Sequence, residues 1–107
     1  MKKIITLIFL STTVVFTQCT PKKAATAGMS DAEKVADVKK NFTEAQMQEG
    51  KTIWQGSCDK CHKLYEPESR SIDKWERVLP RMTNRAKLDD AQGAKVRAYL
   101  IAHAKMD

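Results

Sequence analysis

The sequence predicts an all-α fold of three to four helices. Three observations point there. Ser30-Asp31-Ala32-Glu33, Thr43-x-x-Gln46 and Asp89-x-x-Gln92 each have the form of a capping box, in which a short oxygen-bearing side chain and an acid or amide three positions on satisfy each other's backbone N–H groups. Apolar and small residues then recur at helical rather than alternating spacing. No stretch shows the alternation of a half-buried strand, and there is no internal repeat.

The chain has 107 residues, enough for one domain. Its first stretch reads as a targeting segment. Lys2 and Lys3 precede Ile4 to Thr17, a run of 14 residues without a charge. That is shorter than the roughly 18 residues expected of a membrane span, and it has the build of a secretory signal. Cys19 follows it directly, and Pro21-Lys22-Lys23 turns polar at once. A cysteine at this point resembles the lipidation site of bacterial lipoproteins, although Phe16-Thr17-Gln18 offers no small residue before it. Ordinary cleavage nearby is the alternative. The expected organisation is a signal peptide over 1–18 with Cys19 as the first mature residue, a flexible tether over 19–40 and a domain over 41–107. The tether is too poor in large apolar residues to offset its ordering entropy. A short helix starting at Ser30 is expected within it, with little to pack against.

The domain is expected to open with a helix from Thr43 to Ser57, with Met47, Gly50, Ile53, Trp54 and Ser57 at helical spacing. Gly50 in mid-helix costs about 1 kcal/mol relative to alanine, so it calls for a reason such as a close helix contact. Lys63 to Arg70, with Pro67, reads as loop. Ser71 stands where it could cap a second helix carrying Ile72, Trp75, Val78 and Leu79 on one face, and Pro80 is expected to end or kink it. Met82 would then lie just past a break, and Thr83 to Leu88 carries no assignable pattern. A last helix is expected from Asp90 to Ala104, with Val96, Tyr99, Leu100 and His103 on one face. Acidic Asp89 and Asp90 suit its N-terminal dipole.

Between the first two domain helices stands Cys58-Asp59-Lys60-Cys61-His62. C-x-x-C-H is the attachment pattern of a c-type haem. Two thiols three positions apart each form a thioether to one vinyl group of the same porphyrin, and the adjacent histidine becomes the proximal iron ligand. Zinc would require a fourth ligand and usually a second Cys/His pair, and a thioredoxin-like dithiol would require a βαβ context. Neither is present in the sequence. Cys58 and Cys61 are the only cysteines after Cys19, so no disulfide framework is implied. A covalent porphyrin would also supply apolar surface to a domain whose own core is thin, with two Trp, two Tyr and one Phe in 41–107.

Taken together, Gly50, Trp54, the C-x-x-C-H motif, Met82, Val96, Tyr99 and Leu100 resemble the class I cytochrome c family. The resemblance covers nearly all of 41–104. It implies a compact cytochrome c fold around one haem, with Gly50 and Trp54 of the first helix crossing Val96, Tyr99 and Leu100 of the last. The interval from His62 to Met82 is only 20 residues, much shorter than in larger members, which implies a more exposed haem edge.

The resemblance also implies Met82 as the distal iron ligand, a soft thioether donor that favours ferrous iron. A core methionine continuing the Trp75 stripe, His103 as ligand, and an open five-coordinate iron are the alternatives; Met47 and Met106 are poorly placed. Trp54, Trp75 and Tyr99 are expected to pack on the haem, with Tyr65 over it or at the surface.

The net charge of +6 is concentrated away from the domain, since 41–107 carries twelve Lys and Arg against ten Asp and Glu. Nucleic-acid binding is not indicated. The six basic residues between Arg70 and Lys87 read as a solvated face, or as partners for propionates or an acidic protein.

The expected function is that of a membrane-tethered, periplasm-facing electron carrier in the bacterial envelope, exchanging single electrons with a redox donor and acceptor. No nucleophile, general base or second metal cluster argues for an enzyme or a small-molecule substrate. A ligand-binding or sensing haem protein with an open sixth position, or a haem subunit of a larger membrane oxidoreductase, are the alternatives.

Overall fold

The computed structural model describes residues 28–107. The signal-like run, Cys19 and the first part of the expected tether, 19–27, lie outside the described residues. The described chain is all-helical: α1 (Asp31–Asn41), α2 (Glu44–Cys58), a 3-10 turn (Pro67–Ser69), α3 (Ile72–Arg85) and α4 (Asp90–His103). Its only β-type pairing is a bridge between Ser71 and Lys105. No described helix is long and apolar enough to cross a membrane.

The three capping boxes form as the sequence predicts. Ser30 and Glu33, Thr43 and Gln46, and Asp89 and Gln92 each exchange side-chain and backbone hydrogen bonds at the first turns of α1, α2 and α4. Ser71 occupies the N-cap of α3, but its side chain makes no capping bond.

α4 is the hub, packed against α2, α1, α3 and the 3-10 turn. Val96, Ala98, Tyr99, Leu100 and Ile101 are all buried. That is more than the single stripe expected, because a helix covered from several sides must be apolar around most of its circumference. His103 ends α4 with Nδ1 2.8 Å from the Tyr99 carbonyl oxygen.

α2 crosses α4 at Gly50. A β-carbon there would overlap the Lys95 carbonyl and stand 3.0 Å from the Val96 nitrogen. Glycine is therefore required by the crossing, and its helix-propensity cost is offset by the close approach it permits. One turn on, Trp54 and Tyr99 pack with ring centroids 5.6 Å apart.

Two expectations are corrected. The segment before residue 41 was expected to be a tether, yet α1 is part of the folded body. Val38 is 1% exposed, and Val35 and Phe42 pack beside it on the core. Val35 and Val38 are three positions apart and so share a helix face. Lys34 further joins Asp73 at the start of α3 at 2.9 Å.

The second correction concerns Pro80, which does not end its helix: α3 runs on to Arg85. Proline removes one backbone donor, but Pro80 itself is exposed, so its ring displaces no core contact. Thr83 Oγ1 meanwhile donates to the Leu79 carbonyl at 2.9 Å. Just past the C-cap Ala86, Lys87 takes the left-handed region with φ 55°. Lys87 N–H donates to Asn84 O and Leu88 N–H to Thr83 O, each at 3.0 Å, which is the Schellman pattern.

Candidate functional site

The continuation of α3 past Pro80 decides the shape of the site. Val78, Arg81, Met82 and Arg85 fall at i, i+3, i+4 and i+7, on one face of α3. That face looks onto a cavity of about 450 Å³, whose other wall is the end of α2 with Ser57 and Cys58, then Lys60, Cys61, His62, Tyr65 and Arg70. Ala86 and Lys87 complete it. The volume lies within the ~300–1,000 Å³ range of small-molecule and cofactor pockets.

The structure thus brings together Cys58, Cys61, His62, Met82 and Tyr65. α2 delivers Cys58 as its last residue, and burial there, with Asp59 and Cys61 as lesser contributors, pushes the thiol pKa up. Cys61, in the turn that follows, is exposed. His62 Nδ1 lies 2.8 Å from the Lys63 carbonyl oxygen. A carbonyl only accepts, so Nδ1 carries the proton of this bond. In the neutral ring Nε2 then holds the free lone pair, the arrangement that a metal-binding imidazole requires.

Trp54, Trp75 and Tyr99 stand elsewhere. None lines the cavity. Trp54 and Tyr99 turn toward each other across the α2–α4 crossing, and Trp75 donates its indole N–H to the Pro67 carbonyl at 2.8 Å. Of the four aromatic side chains expected to pack on a porphyrin, only Tyr65 reaches the cavity wall. It is 49% exposed, 5.7 Å from the His62 ring, with the Arg70 guanidinium 4.0 Å above its own ring. His103, Met47 and Met106 are also absent from the lining. Met47 is instead buried in the core and Met106 is half exposed.

Among the described residues, no three Cys, His, Asp or Glu side chains gather as a chelating cluster. A porphyrin asks for no such cluster. Its iron takes one or two axial donors from the protein, and its thioethers need only thiols within reach of the ring edge.

The cavity wall also carries five cations: Lys60, Arg70, Arg81, Arg85 and Lys87. No Asp or Glu lines it, and none of the five joins an ion pair among the described residues. The basic run between residues 70 and 87 was legible in the sequence. What was missed is that two of its members, Arg81 and Arg85, share a helix face with Met82. The i, i+3, i+4, i+7 spacing of Val78, Arg81, Met82 and Arg85 would have shown this, had Pro80 not been read as a helix break.

Comparison with protein families, with characterised proteins and with solved structures found no match for this chain.

Proposed function

We propose that this chain is a small monohaem c-type cytochrome, a single-electron carrier with a compact cytochrome c fold, tethered in the bacterial envelope through a lipid on Cys19. The observation that carries the reading is the convergence of Cys58, Cys61, His62 and Met82 on one cavity. The haem would supply the one-electron ferrous–ferric couple. Cys58 and Cys61 would hold it by adding their thiols across its two vinyl groups, His62 would offer Nε2 and Met82 its sulfur to the iron. With His62 and Met82 both donating to the iron, no position would be left for a substrate, which favours a carrier over an enzyme. The donor and acceptor are redox proteins.

The experiment that tests this is the visible spectrum of the matured protein, oxidised and reduced. The expected result is covalent haem surviving denaturation, a weak far-red sulfur-to-iron band in the oxidised form and no response of the reduced form to CO. A high-spin spectrum that shifts readily with CO would move the reading to a ligand-binding or sensing protein. For the anchor, Cys19→Ala should release the haem protein from the membrane fraction; retention there would remove the lipid from the proposal.

A further inference from the structure

The residues that face each other across the cavity come from different helices. Cys58 and His62 stand at the end of α2 and just after it, whereas Met82 stands on α3. Both helices pack chiefly on α4, so the position of Met82 relative to His62 is set through α4. The start of α3 is fixed from several sides. Trp75 donates to the Pro67 carbonyl, Lys34 pairs with Asp73, and Lys105 N–H donates to the Arg70 carbonyl at 3.0 Å. Beyond Leu79, α3 has no buried residue. Between these two stretches Arg97 of α4 grips Glu76 with a fork. Its Nε donates to one carboxylate oxygen at 3.0 Å and its Nη2 to the other. Among the described residues these are the only side-chain hydrogen bonds between α3 and α4.

We propose that Glu76 and Arg97 are positioning residues for Met82: their ion pair sets the register of α3 on α4 and so holds the thioether at the cavity. The inference rests on the electron-carrier reading and adds two residues to its site. Apolar contacts such as those of Ile72, Trp75 and Leu79 resist separation of two helices but are non-directional. An arginine–carboxylate fork has one favoured geometry, so it also resists rotation and sliding. Met82 needs that restraint, because successive residues of a helix stand about 100° apart and a turn of that size would put Thr83 in its place. Met82 lies beyond Glu76 by about 9 Å of helix axis. Thr83 carries the register across that distance. Its Oγ1 bonds the Leu79 carbonyl at 2.9 Å, spanning Pro80, and a β-carbon on Gly93 of α4 would touch its methyl at 3.6 Å. The fork is also shielded: only 28% of the Arg97 side chain and 27% of the Glu76 side chain are exposed, so water competes less than at an open surface pair.

The probe is imidazole, titrated into the matured, oxidised protein. It competes with the methionine sulfur for the iron: one iron–sulfur bond breaks, one iron–nitrogen bond forms and no electron moves. Loss of the far-red band reads the exchange. Haem staining of the denatured protein comes first. Absence of covalent haem would overturn the electron-carrier reading and this one with it. Haem without the far-red band would remove Met82 as a ligand, and the positioning role with it.

Glu76→Gln should tighten imidazole binding by about fivefold, the upper end of what a partly exposed ion pair contributes. Arg97→Gln should do the same, and the double variant should go no further than either single one, because each alone breaks the fork. Arg97→Lys keeps the charge but cannot form two parallel bonds, so it should show part of the rise. Val38→Ala separates positioning from stability. It weakens the core from α1, and its imidazole affinity should stay within about twofold of the unaltered protein even where urea denaturation shows an equal loss of stability. Unchanged affinity in Glu76→Gln and Arg97→Lys would overturn the positioning role while leaving the carrier reading in place. So would an equal rise in Val38→Ala, which would make the pair one more contributor to global stability.

Discussion

Gly50 and Lys95 meet so closely that the α2–α4 crossing has no room for a side chain: a β-carbon at 50 would overlap the Lys95 carbonyl. Backbone on this scale has nowhere to move without shifting a whole helix. Gly50→Ala should destabilise the fold by about 1–3 kcal/mol, even though alanine is the better helix former. Gly56 lies on the same helix with nothing within 4 Å of a β-carbon, so Gly56→Ala should stabilise by up to about 1 kcal/mol. Urea denaturation of both variants checks the pair. A neutral Gly50→Ala would mean that the helices do not cross this closely.

Val38 gives a test of the first helix. It is 1% exposed and packs into the same core as α4. Val38→Ala should cost roughly 1–3 kcal/mol by loss of buried surface and incomplete collapse of the space left. If α1 were only an appendage, the denaturation midpoint would not move.

The proposed axial role of Met82 is tested electrochemically. Exchanging a thioether for imidazole removes the donor that favours ferrous iron. Met82→His should lower the midpoint potential by on the order of 100 mV or more, within the roughly 0.8 V that axial ligation spans. An unchanged potential would exclude Met82 as a ligand.

Before any haem is attached, the two cysteines should differ in reactivity. Burial raises the Cys58 pKa and reduces its thiolate fraction at neutral pH, whereas Cys61 is exposed. Iodoacetamide at pH 8 should therefore label Cys61 first, with Cys58 gaining as the pH rises. Equal labelling, read by peptide mass spectrometry, would contradict the placement of Cys58 at the buried end of α2.

Tyr99 makes the fold sensitive to alkali. Burial chiefly, and the charges of Glu66 and Glu68 secondarily, push its phenol above the usual value. The folded state thus holds the proton more tightly than the unfolded chain. Its contribution to stability is fully present below the ordinary phenol value of about 10 and is lost as the pH rises through the higher folded value. Denaturation curves from pH 8 to 11 should show stability declining at the alkaline end, and Tyr99→Phe should flatten that decline. An identical slope in the variant would place the effect elsewhere.

The sequence by itself determined the helix starts, because a capping box is satisfied within four residues and needs no distant partner: Ser30, Thr43 and Asp89 each cap as their local sequence requires. It also determined the Cys58-to-His62 motif and singled out Gly50 as a residue needing a reason, since a helix-interior glycine is costly wherever it stands. Tertiary structure alone decided that Val35 and Val38 would find a surface on α4, that α3 would continue past Pro80, and that Met82 would therefore face the same cavity as Cys58 and His62. Each of these is a balance between a local cost and a distant contact. The ordering entropy of α1 and the lost hydrogen bond at Pro80 are written in the chain; the packing of Val38 and of Ile72, Trp75 and Leu79 in the shared core exists only once the helices have met.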